Sequence, residues 1–86
     1  SPEEHKINGT LDLKTFKDKG SCVDFLKTET ENTQKTYNVE SQDSQGSAKR
    51  FIDKESENSK NLIFNCDENN TFAYIVLDQE QIDKNK

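Results

Sequence analysis

Cys22 and Cys66 have the widest chemical repertoire of any side chains in this chain, and they are its two cysteines. As thiolates they would be nucleophiles or soft metal ligands; oxidised together they are a cross-link. A zinc site needs four ligands at short spacings, and two distant cysteines with the single His5 do not supply them. A disulfide closing a loop of this length is worth about 4 kcal/mol in the chain-entropy model, comparable to the whole net stability of a weak small domain. Cys22 and Cys66 therefore read as a structural disulfide, which leaves no thiolate for covalent catalysis.

The remaining reactive types form no catalytic, metal or cofactor-binding set. His5 lies in a polar N-terminal stretch that reads as solvent-exposed, and no nucleophile-elbow pattern accompanies it. Gly9, Gly20 and Gly46 stand alone, so neither a phosphate loop nor a dinucleotide fingerprint can be drawn. Asp67, Asn69 and Thr71 match alternate positions of a calcium loop, with Asp78 at the twelfth. Phe72, however, stands where that loop needs glycine, and a hairpin turn capped by Asx side chains is the better reading. Glu29 and Glu31, then Asp53, Glu55 and Glu57, are close carboxylates in a chain with 17 Asp and Glu, and they read as a solvated face. Lys49-Arg50 is too short a basic run to hold a polyanion. The Thr/Asn run from Thr28 to Thr36 reads as a solvated surface, with strand formation or partner binding as alternatives.

Two triplets, Asn8-Gly9-Thr10 and Asn69-Asn70-Thr71, match the N-glycosylation acceptor pattern and fall where turns are expected. With the disulfide they point to an oxidising, secretory compartment. No apolar run approaches the roughly 18 residues of a membrane span. The opening Ser1-Pro2-Glu3-Glu4-His5 reads as a mature terminus left after signal cleavage.

The 86 residues predict one small domain over 1–86, with mobile ends near 1–6 and 79–86. Apolar residues make up 28% and charged residues 34%, with a net charge of −5. This is far less apolar than the roughly 45–50% of an ordinary domain and close to disordered composition. Clustering of the apolar residues and the cysteine pair argue for a fold. The acidic balance disfavours nucleic acid and anionic membranes as partners, and neither is expected. It is compatible with a basic protein partner, and solvation explains it equally well.

Around the cysteines, residues 9–14 lean to a strand through Leu11 and Leu13, although Leu13 and Phe16 also fit a helical turn stopped by Gly20. Ser21 and Asp24 match a capping box, so 21–29 reads as a short helix, with a strand as alternative. Thr36 to Glu40 alternates like a short edge strand, and Ser41 to Ser47 reads as a loop. Ser47 is placed to cap a helix across 48–57 carrying Ala48, Phe51 and Ile52. Asn61–Cys66 and Thr71–Leu77, joined by Asp67-Glu68-Asn69-Asn70, predict an antiparallel hairpin. Phe72, Tyr74 and Val76 share one face of its second strand and Ala73, Ile75 and Leu77 the other, which predicts the central strand of the domain. Residues 78–86 read as a polar tail anchored by Ile82. The expected fold is α+β: a small antiparallel sheet with one or two short helices and one disulfide, the alternative being an all-β meander.

The segments Asn8 to Phe16 and Gly20 to Leu26, with the Cys66 hairpin, resemble the small secreted salivary anticomplement proteins of blood-feeding sand flies. That resemblance implies an extracellular salivary glycoprotein that serves blood feeding and immune evasion without enzymatic activity. It also implies inhibition of the host classical complement pathway, with contact to a plasma protein, an early component of that route, as the expected mode and a monomer as the expected state. It assigns no binding face and requires no cofactor. The alternative is a small-ligand carrier of lipocalin-like character, although about eight strands are needed to close a calyx.

Overall fold

The computed structural model describes residues 10–43 and 46–84; for Thr10 and Leu11 only the backbone is described. The elements in chain order are β1 (Thr10–Thr15), α1 (Lys19–Thr36), β2 (Val39–Gln42), β3 (Lys49–Asp53), β4 (Asn61–Cys66), β5 (Thr71–Leu77) and α2 (Gln79–Lys84). The strands form one antiparallel sheet in the order β1-β5-β4-β3-β2. The α+β expectation holds, with Cys22–Cys66 as its disulfide, and α1 excludes the all-β meander.

Strand alternation sorts the sheet into two faces. Cross-strand pairing puts Phe51, Leu62, Phe64, Cys66, Phe72, Tyr74 and Val76 on the front face. Cys22, Leu26 and Thr30, four residues apart on α1, are buried against that face, and α1 packs over β4 and β5. The core is Cys22, Leu26, Phe51, Leu62, Phe64, Cys66 and Phe72. Its rings run as a connected series: Phe16 to Phe25 at 5.2 Å, Phe25 edge-on to Phe72 at 4.9 Å, then Phe72 to Phe64, with Tyr74 stacked on Phe64 at 4.7 Å. Such pairs add to the burial of their area. The back face carries Leu13, Ile52, Ile63, Ala73, Ile75 and Leu77; all are half-buried except Leu13, which is 65% exposed.

Helix α1 corrects the sequence reading at both ends. The cap is Asp18, whose carboxylate accepts the Ser21 N–H at 2.7 Å, so Ser21 and Gly20 lie in the first turn. The helix then continues through the Thr/Asn run to Thr36, where the Tyr37 N–H closes on the Thr33 carbonyl. Threonine and asparagine are poor helix formers. Docking of the 22/26/30 stripe on the sheet outweighs that preference.

The predicted helix over 48–57 is instead strand β3. Phe51 and Ile52 are neighbours, and a strand sends them to opposite faces: Phe51 to the core at 4% exposure and Ile52 to the back face. A helix would have had one narrow apolar face, whereas the strand pairs along β4 on one side and β2 on the other. The edge strand expected over 36–40 is displaced to Val39–Gln42 because α1 occupies residues up to 36. The 78–86 tail folds into α2 for Gln79–Lys84. Asn61, fully buried, donates to Gln79 Oε1 and Ser59 O and accepts from Arg50 Nε. Lys60 Nζ meets Asp78 Oδ1 at 2.9 Å.

The hairpin is as predicted, except that the middle of the sheet is its first strand, β4; its second, β5, lies between β4 and the edge strand β1. Asp67 Oδ1 accepts the N–H groups of Asn69 and Thr71, and Asn70 takes a positive φ of 60°, which asparagine tolerates. The disulfide thus ties the first turn of α1 to the turn end of this hairpin. Replacing both cysteines by alanine should lower the unfolding free energy by about 2–5 kcal/mol in a urea titration; an unchanged midpoint would show that the bond contributes no stability.

Candidate functional site

Helix α1 is narrower than the sheet beneath it. It lies over β4 and β5, so the front face of β2 and β3 is left beside the helix rather than under it. The result is an open groove of about 250 Å³ lined by Lys27, Thr30, Glu31, Gln34, Ser41, Lys49 and Phe51. Lys27, Thr30, Glu31 and Gln34 recur at three- and four-residue intervals and form one stripe of α1. Ser41 and Lys49 face them from β2 and β3, since pairing puts Ser41 beside Phe51 and Lys49 beside Phe64. Phe51, itself buried, lines the groove from β3. The Thr30 hydroxyl donates back to the Lys27 carbonyl at 3.0 Å.

Two ammonium groups and one carboxylate border this groove. Among the described residues neither Lys27 nor Lys49 lies within ion-pair distance of a carboxylate. The groove is a local positive spot on a chain of net charge −5. Residue types and spacing along the chain do not reveal it. Lys27 and Lys49 are 22 positions apart, and the only available signal was the Lys49-Arg50 pair, which the strand splits. Lys49 faces the groove; Arg50 turns to the back face and binds Asn61.

The other residues singled out by sequence do not converge. Cys22 and Cys66 are buried at 0% and 3% exposure as the disulfide. Glu31 borders the groove, while Asp53 Oδ1 caps the following turn through the Glu55 N–H and Glu55 accepts from Asn38 Nδ2. Asp67, matched to a calcium loop, spends a carboxylate oxygen on turn amides. Among the described residues no three His, Cys, Asp or Glu side chains are placed to hold a metal ion. Nor is any described helix long and apolar enough to cross a membrane. Asn69 sits exposed in the β4–β5 turn; His5 and Asn8 lie outside the described residues.

Two titrating groups are perturbed. The Ser21 backbone N–H, and then the Ser21 side chain, hold the Asp18 carboxyl below its ordinary value. Burial, followed by the proximity of Tyr37 and Asp53, raises the Tyr74 phenol above its ordinary value. Both effects belong to the fold rather than to the groove. Lys14 reaches across β1 to lie over the Phe16 and Phe25 rings, 5.4 and 4.9 Å from their centroids, and shields that end of the core.

Comparison with protein-family models, with characterised proteins and with solved structures gives no match.

Two outcomes follow from this geometry. Above the ordinary tyrosine range the unfolded chain releases the Tyr74 proton while the folded chain keeps it, so stability falls as pH rises. Melting temperatures between pH 8 and pH 11 should therefore drop more for the wild type than for Tyr74→Phe, and parallel curves would contradict the raised phenol. Produced through a eukaryotic secretory pathway, the protein should carry a glycan at Asn69. Intact mass before and after enzymatic deglycosylation reads it, and an unshifted mass in which Asn69→Gln changes nothing would show the turn to be unmodified.

Proposed function

We propose that this protein is a secreted, non-enzymatic inhibitor of the classical complement pathway of a vertebrate host, acting as a monomer by contact with an early component of that pathway. The observation that carries the secretory part is the disulfide itself. Cys22–Cys66 is built into the core, between the helix and the central hairpin, as expected of a small extracellular domain whose apolar content is too low to hold it alone. Two glycosylation triplets, one of them exposed on a turn, support the same compartment. The resemblance of Asn8 to Phe16, Gly20 to Leu26 and the Cys66 hairpin to sand-fly salivary anticomplement proteins supports the target class. It also supports saliva, blood feeding and immune evasion as the setting.

Contact between proteins suits this body better than enclosure of a small molecule. Small-molecule sites are typically about 300–1,000 Å³ and surround most of their ligand. The groove beside α1 is about 250 Å³ and open. Among the described residues the sheet has five strands, where a calyx needs about eight, so the carrier reading stands second.

The test is a serum assay with three arms, following classical, lectin and alternative activation separately after addition of the purified protein. Selective loss of the classical arm is the expected result. No effect on any arm would remove the proposal and bring the carrier reading forward, to be examined by native mass spectrometry for a retained ligand.

A further inference from the structure

We infer that the outer edge of β2 and the adjoining α1 groove form the contact site, and that the occupant is an extended peptide segment of the partner that carries an Asp or Glu side chain. This rests on the protein-contact reading above and names the face and the chemistry it would use.

The two edges of the sheet differ. At one edge, β1 is irregular between Thr10 and Asp12 and carries Asp12 and Lys14; bulges and charges of this kind guard an edge against further pairing. At the other, β2 keeps an unbroken register with β3 from Val39 to Gln42 and contains neither proline nor lysine; its one charged residue, Glu40, pairs with Ile52 and so lies on the back face, away from the groove. Its hydrogen-bonding phase can be read from one bond. The Lys54 N–H donates to the Asn38 carbonyl at 2.9 Å. This makes Val39 opposite Asp53 a non-hydrogen-bonded pair, so Glu40 and Gln42 point their backbone groups at β3. Val39 and Ser41 point theirs outward, and among the described residues nothing occupies those N–H and C=O groups.

A sixth strand would pair with Val39 and Ser41. Directly opposed residues share a face of the sheet. Val39 and Ser41 are on the front face, so a guest residue opposite Ser41 places its side chain over the groove that Lys27, Glu31, Ser41 and Lys49 line, where the two ammonium groups outnumber the one carboxylate. Both lysines lack a carboxylate partner among the described residues, and a guest carboxylate supplies one. Strand addition gives affinity through main-chain bonds, and the groove gives selectivity through one acidic side chain.

The experiment is panning of a random nonapeptide display library on the disulfide-intact full chain. Enriched peptides, made synthetically, are then tested on the wild type and on Lys27→Glu/Lys49→Glu. Both positions are exposed, and an unchanged melt checks that the variant folds. Enriched sequences should share an acidic residue at one position, and the variant should bind them at least about tenfold more weakly. Methylating the peptide amide nitrogens that face β2 should abolish binding, whereas methylating the alternate ones should not. Amide shift changes should concentrate at Val39 and Ser41. Failure to enrich, equal binding by the variant, or shift changes confined to the back face would overturn the inference. Panning reads peptide binding and the serum assay reads complement, so failure of one does not decide the other.

Discussion

The seating of α1 on the front of the β4–β5 hairpin is the interaction on which the rest of this structure depends. It buries Phe64 and Phe72 almost completely, brings Phe25 edge-on to Phe72, and is fixed covalently at one end by Cys22–Cys66. A chain with 28% apolar residues has little other means of offsetting the entropy of ordering its backbone. Concentrating the aromatic rings under one helix makes a small core effective, because each ring buries large area and adds a directional contact. The disulfide acts on the other side of the balance by restricting the unfolded chain.

The economy that makes this core work also leaves surfaces open. One helix cannot cover five strands, and α1 lies over β4 and β5. On its β2 side the exposed strip of sheet becomes a groove with a lysine on each wall; on the back face Leu13 stands 65% exposed. The connections are arranged differently. Buried Asn61 satisfies its amide through Arg50, Ser59 and Gln79, and so ties α2 to the sheet with hydrogen bonds rather than with further apolar burial.

The sequence was legible wherever short-range chemistry decided the outcome. The hairpin was clear because Asp67 to Asn70 contains the residues a tight turn needs, flanked by apolar strands of matching length. Its face assignment, with Phe72, Tyr74 and Val76 together, followed from the two-residue period alone. Elsewhere the local signals pointed the wrong way. Ala48, Phe51 and Ile52 fit a helical face as well as a strand, and pairing with β4, ten residues on, made the choice. Thr28 to Thr36 has poor helix propensity and became helix because Leu26 and Thr30 dock on the sheet. Asp18, rather than Ser21, caps α1 because the helix begins one turn earlier than its apolar face does. The candidate site was less legible than the fold, because its lysines come from different elements and the backbone phase of β2 depends on pairing with β3.

What the amino-acid sequence determined by itself was the pair of cysteines to be joined, the β4–β5 hairpin and the isolation of its three glycines from any phosphate-binding loop. Each follows from residue identity, or from a period only a few residues long. Only the tertiary structure decided for α+β over an all-β meander, the length of α1, the strand identity of β3, the packing of α2, and the placing of Lys27 and Lys49 on one groove beside an open strand edge. These depend on contacts between residues distant in sequence. Local preferences amount to a few tenths of a kcal/mol per residue, and burial of a single aromatic ring exceeds them.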